Sequence, residues 1–324
     1  MPVRRRLLLY AEGGAGKSSQ AAKAADWIWE KRGLRTRVVN ADGGGTQGVF
    51  QSLIDKGACD YWDVDTWDQS SIFEMLDLAT KGWWPSDPEV PNSPLEETFP
   101  QYRECTSCKA PNPVTPGKQC LKCGTVFGAG TVLPLRQRTG DIGCYIFEGM
   151  TAFGELLLRR LRQINPEGGN FFTDEKYKIS APGKGHYGGA QTYLAQFVGN
   201  SRRLPVEMVL WTALEYKKDD DGPPLYGPAG PGKVLTSACI PWFNAVLHLD
   251  VLAKMKGPVP EKDANGQLIL ERKLYLQAHF PPDNVNTKFL CKMSAPYGER
   301  LPGVVPADLG ALLSQMEAID KGEK

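Results

Sequence analysis

The chain has 324 residues, 41% of them hydrophobic, and a formal net charge of +1. It is longer than the ~250–300 residues at which a single core stops growing, so we expect one large α/β domain carrying a small insertion. The balanced charge excludes a surface that is basic throughout, and no apolar run approaches the ~20 residues of a membrane span. Met1 to Arg6 is basic, but the apolar stretch behind it, 7–11, is too short for a signal peptide. Eight cysteines, four of them in two CxxC pairs, point to a reducing cytoplasm and a metal rather than to disulfides.

In chain order, Arg4 to Arg6 read as a solvated entry. The stretch 7–20 (LLLYAEGGAGKSSQ) reads as a buried strand, a glycine-rich turn and the start of a helix. That is the pattern of a phosphate-binding loop. Small residues at Gly13, Gly14, Ala15 and Gly16 let the backbone wrap an anion, toward which the turn N–H groups and the helix N-terminus point. Lys17 is placed for the β/γ-phosphates and the Ser18 hydroxyl for Mg²⁺; Glu12 and Ser19 complete the binding stretch. Ala11 stands where the strict pattern has glycine. The helix is expected over 18–32 and stops at Gly33. A second strand, 34–40, ends in Ala41-Asp42-Gly43, putting a carboxylate where an open α/β sheet holds its ligand. A helix over 46–56, a strand over 61–67 and a helix over 70–80 follow.

The stretch 84–102, rich in Pro and acids, reads as a linker or lid. Cys105, Cys108, Cys120 and Cys123 then form two CxxC knuckles, eleven residues apart. Four thiolates close a tetrahedral Zn²⁺ site and leave no open position, so a structural zinc ribbon is expected rather than a catalytic metal. Lys109, Lys118 and Lys122 offer that ribbon a contact with nucleic acid.

The core resumes with a strand over 142–147 ending in Glu148. An acid at that place holds Mg²⁺ through water; the alternative is a helix N-cap. A helix over 152–162 follows. The polar, glycine-rich 165–187 reads as a mobile loop, 190–203 as a helix and 206–212 as a strand. The stretch 216–233, with four Pro and four Gly, reads as an irregular second loop. Next come a helix and strand within 234–251, a turn at 261–266, paired strands over 268–280 and 287–293, and a helical tail from 301. The division is 1–83 and 131–300 for the core, 84–130 for the insertion and 301–324 for the tail.

This order of parts resembles the ATPase core of RecA-type recombinases: a P-loop core with a mostly parallel central sheet flanked by helices. More narrowly, it resembles phage-encoded ATP-binding proteins that support single-strand annealing and recombination. AEGGAGKS is similar to the Walker A loop, and IGCYIFEGMTAF to the Walker B strand, with Glu148 in place of Asp. VVNADGG resembles the segment whose acid polarises the attacking water, a role the resemblance gives to Asp42. VLWTAL resembles the strand carrying a γ-phosphate sensor, although Thr212, Leu214 and Glu215 stand there. TKFLCKM resembles the segment whose lysine reaches a neighbouring subunit's ATP, with Lys292 the better match and Lys288 the second. The two loops fall where the family's DNA-contacting loops lie. They carry Lys184, His186 and Tyr187 in one, and Lys217, Lys218 and Lys233 in the other. The resemblance thus implies ATP and Mg²⁺ as ligands, a homo-oligomer, single-stranded DNA as partner, and the cytoplasm of a bacterial or phage-infected cell. Two other readings stand beside this one. One is a nucleotide-gated assembly protein with slow turnover; the other is a nucleotide or small-molecule kinase with a zinc lid.

Overall fold

A computed structural model of the chain describes residues 4–43, 45–64, 72–82, 84, 102–104, 111–113, 141–165, 171–173, 178–180, 183–218, 225–232, 235–276 and 288–323. The strands among them are β1 (Arg5–Ala11), β2 (Arg35–Asn40), β3 (Cys59–Asp63), β4 (Tyr102–Glu104), β5 (Pro111–Pro113), β6 (Ile142–Glu148), β7 (Phe171–Thr173) and β8 (Lys178–Ser180). They continue with β9 (Met208–Lys218), β10 (Leu225–Pro228), β11 (Ala245–Ala253), β12 (Met255–Lys256), β13 (Val259–Pro260), β14 (Leu270–Tyr275), β15 (Lys292–Met293) and β16 (Val304–Pro306). The helices are α1 (Lys17–Arg32), α2 (Gln47–Asp55), α3 (Ile72–Thr80), α4 (Met150–Ile164), α5 (Lys184–Ser201), α6 (Leu235–Ala238), α7 (Tyr297–Arg300) and α8 (Leu309–Asp320).

The main sheet runs β16-β14-β11-β1-β9-β6-β2-β3. From β11 to β3 every neighbouring pair is parallel. The mostly parallel sheet flanked by helices is therefore present. β14 and β16 extend it antiparallel beyond β11. β1 is buried at all seven positions because parallel strands are covered on both faces. Leu7, Leu9 and Ala11 pack with Ala21, Ala24 and Ile28 of α1. Leu8 and Tyr10 face the opposite layer, with Phe153 of α4 and Leu194 and Phe197 of α5. The parallel direction of these strands puts the C-terminal ends of β1, β6, β9 and β2 along one edge.

Several expectations are corrected. Arg5 and Arg6 are not a solvated entry but are buried, at 3% and 5% exposure. Arg5 donates to Glu207 at 2.8 Å and to Asp320 at 2.6 Å, and Arg6 to the carbonyls of Arg202 and Leu204. The stretch 216–233 is not irregular throughout. β9 carries on to Lys218, and β10 returns beside it with Tyr226 opposite Lys217, because the backbone ladder satisfies groups that Pro and Gly alone would leave open. α5 begins at Lys184, inside the expected first loop. β14 and β15 do not pair with each other; both lie antiparallel on β11. The C-terminal helix is docked on α1. Gln20 donates to Ala307 O and accepts from Leu309 N, Trp27 Nε1 donates to Ser314 Oγ, and Asp308 caps α8 through Ala311 N.

Candidate functional site

The turn after β1 is set by glycine. Gly14 and Gly16 have φ of 77° and 105°, the left-handed region that other residues avoid. A Cβ built at Gly13 or Gly14 would meet nothing within 4 Å, so open space lies over the loop. Ala15 packs inward, whereas Glu12, Gly13, Gly14 and Ser19 are exposed. Lys17 opens α1 yet is buried, its Nζ donating to Ala11 O at 3.3 Å and Glu12 O at 3.0 Å. Burial lowers its pKa, against the pull of Asp42, Glu148 and Glu215.

Glu148 ends β6 and is wholly buried. Its Oε2 accepts from Ser18 Oγ at 2.9 Å, while among the described residues Oε1 is buried with no hydrogen bond of ordinary geometry, the Thr212 hydroxyl lying near the carboxyl. Burial pushes its carboxyl up to about 7; nearby Asp42 adds to this, and the Ser18, Lys17 and Thr212 contacts oppose it. Asp42 comes in from β2, whose Asn40 is opposite Glu148. The two acids meet because residue 149 is glycine. Its φ is 91°, and a Cβ there would lie 3.1 Å from the Cβ and N of Asp42. Asn40 Oδ1 accepts from Asp42 N at 3.1 Å, which fixes the turn. Lys17, Ser18, Asp42 and Glu148, read from separate stretches of sequence, are thus brought together. Thr212, at the expected sensor place, supports Glu148 from β9: its Oγ1 accepts from Gly149 N at 2.8 Å.

Other candidates lie elsewhere. Lys292, expected to serve a neighbouring subunit, lies away from this chain's own loop. It is opposite Val246, level with Leu8 rather than with the end of β1, and its Nζ donates to Phe243 O at 3.0 Å. Lys288 stands 4.8 Å over the Tyr226 ring. His186 is buried: Nδ1 accepts from Gly183 N at 3.0 Å, and Nε2 donates to Asn165 O at 2.7 Å. Nδ1 caps the start of α5 and Nε2 ties it to the carbonyl that follows α4, so both ring nitrogens are spent and His186 is corrected from a contact with DNA to a cap. Lys184 and Tyr187 beside it are exposed, as is Lys217 on β9, where Lys218 is the last residue. Lys233, Cys105, Cys108, Cys120 and Cys123 lie outside the described residues. The four other cysteines are buried and unpaired. Among the described residues, no group of three or more His, Cys, Asp or Glu could hold a metal, and no helix is long and apolar enough to cross a membrane.

Sequence reasoning missed two features. Arg272 of β14 donates from Nε to Ala15 O at 2.9 Å, touching the phosphate loop from the far side of β11. His248 of β11 holds Glu215 Oε2 at 2.5 Å, under the Phe289 ring. Neither has a local signal, since both pairings depend on strand order.

No family model and no curated relative matches the chain. Solved structures do. A KaiC-like protein of the archaeon Pyrococcus horikoshii OT3 aligns at 9% identity over 84% of this chain and 77% of that one, with a TM-score of 0.39. The flagellar accessory protein FlaH of Methanocaldococcus jannaschii aligns at 7% identity over 85% and 78%, with a TM-score of 0.36. At such scores neither likeness bears on the chemistry.

Proposed function

We propose that this chain is a RecA-like P-loop ATPase that binds ATP in the loop 12–19 and hydrolyses it. One observation carries this: Ser18 Oγ meets Glu148 Oε2 across 130 residues of sequence, with Oε1 buried and unpartnered beside it. A buried carboxylate with one oxygen orphaned, next to a hydroxyl, fits a hard divalent cation. Mg²⁺, when bound, offsets charge on the phosphates. The chain's own residues do the rest. Lys17 exchanges the Ala11 and Glu12 carbonyls for phosphate oxygens. The N–H groups of 13–19 cradle the anion. Asp42 orients the attacking water from the end of β2, and Thr212 steadies the segment that carries Glu148.

Single-stranded DNA is the partner we propose for the face where α5 begins. Lys184 and Tyr187 are exposed there, next to the segment 229–232: Gln191 Nε2 donates to Pro231 O at 2.7 Å. A cation beside a ring holds a single strand without reading its sequence. A role in annealing or recombination follows from this partner. A homo-oligomer belongs to the same proposal, with Lys292 the residue expected to reach a neighbouring subunit's ATP. So does Zn²⁺ on the four CxxC thiols; one zinc per chain, lost on Cys→Ser changes, is the expected metal content.

ATP turnover with Mg²⁺, with and without single-stranded DNA, tests this in the wild type and Lys17→Ala. We expect Lys17→Ala to lower kcat/KM at least ~100-fold and DNA to raise wild-type turnover several-fold. Equal rates in the two proteins would refute the site. Turnover that DNA leaves unchanged would favour the nucleotide-gated reading.

A further inference from the structure

The phosphate cradle has two unlike ends. Toward β6 and β2 stand Glu148 and Asp42; toward β11 and β14 stands Arg272. On the reading just proposed, the terminal phosphate meets cation and water at the acidic end. The nucleoside must then lie at the other end, because a nucleotide bound across a loop has a direction.

The register puts Arg272 at that end. Tyr10 is opposite His248, and Arg272 is opposite Val251, three residues further along β11. At ~3.3 Å per residue this lifts Arg272 ~10 Å past Tyr10, to the height of the loop. Arg272 shares a sheet face with Leu274, which belongs to the layer packed under α1. Its Nε donates to Ala15 O at 2.9 Å, and among the described residues this is the side chain's one hydrogen bond. A Cβ at Gly16 would sit 3.5 Å from the same nitrogen. The side chain is otherwise exposed, so the remaining N–H groups and the guanidinium plane face open space.

We propose that Arg272 is a positioning residue for the nucleoside half of the substrate, its guanidinium plane stacked on the nucleobase. A flat delocalised cation suits the face of a base, and a lysine ammonium does not replace it. The bond from Nε fixes the plane before the ligand arrives, which spares the ordering of a long side chain on binding.

Calorimetric titration with ADP and, separately, with inorganic pyrophosphate tests the assignment, both with Mg²⁺. We expect Arg272→Ala to weaken ADP binding about tenfold while pyrophosphate changes by less than about twofold. Arg272→Lys, which can keep a bond to Ala15 O, is expected to behave like Arg272→Ala. Equal losses for both ligands, or full rescue by lysine, would make Arg272 a brace of the loop and overturn the proposal, as would unchanged ADP binding. A wild-type protein that binds neither ligand would overturn the phosphate-loop reading as well.

Discussion

Arg5 and Lys17 stand at opposite ends of β1, and both are buried, at 3% and 6% exposure, yet their partners differ in kind. Arg5 meets two carboxylates, Glu207 and Asp320, and Glu207 also takes Arg32 at 2.8 Å. That end of the strand is closed by permanent counter-charges drawn from α1, α8 and the residue before β9. Lys17 touches only carbonyls, while Glu148 opposite keeps an orphaned oxygen. On the function proposed above, the contrast separates structural charge from charge held ready for a ligand. Among the described residues each end keeps one buried atom without a hydrogen bond, Arg5 Nε and Glu148 Oε1. The Arg5 charge is met directly by opposite charges, whereas an unmatched buried carboxylate costs stability until something binds.

Breaking the closed end has the largest expected effect on folding. Arg5→Ala leaves Glu207 and Asp320 short of a partner and should destabilise the protein by about 3–5 kcal/mol in urea unfolding. ADP affinity of the folded protein should hold within about twofold. A change of affinity with little loss of stability would reverse the comparison.

The open end should respond with the opposite sign. The Glu148 carboxyl sits at about 7 in the fold against an ordinary 4.5, because burial penalises its charge. The folded chain therefore holds this proton more tightly than the unfolded one. The group's contribution is full below pH 4.5 and is lost as pH rises through about 7. Glu148→Gln keeps an acceptor for Ser18 and removes the charge. It should stabilise the nucleotide-free protein by about 1–3 kcal/mol at pH 8, with the gain fading toward pH 5. ATP turnover should fall in the same variant. Melting curves across this pH range decide it, and a destabilised variant at pH 8 would contradict the account.

The smallest effect calibrates the other two. Asp308 caps α8 through Ala311 N and pairs with Lys23, both side chains being about half exposed. Asp308→Ala should cost about 1 kcal/mol in the same urea assay, without touching nucleotide affinity. A loss as large as that of Arg5→Ala would mean that exposed and buried pairs are not distinguished here.

Much of the site was legible because its signals are local. Gly13 to Ser18 declare their turn within six residues, and Glu148 follows an unbroken apolar strand. Asp42 was legible as an acid at a strand end, though not as the residue packed on Gly149. The lysines and rings of the two loops were a weaker guide. A histidine on a glycine-rich stretch looks the same in sequence whether it faces solvent or, like His186, links the start of one helix to the end of another. Arg4 to Arg6 looked solvated for the same reason, since nothing nearby in sequence announces Glu207 or Asp320.

The amino-acid order by itself determined the bend of the phosphate loop, the strands on either side of it and the acids at their tips. Backbone conformation and apolar runs are decided over a few residues, by sterics and burial. Only the tertiary structure decided where the remaining cations of the core lie. Strand order set Arg272 beside Ala15 and Lys292 beside Phe243, and it joined His248 to Glu215. Such pairings depend on register between strands far apart in the chain, where a shift of one residue turns a side chain to the other face of the sheet.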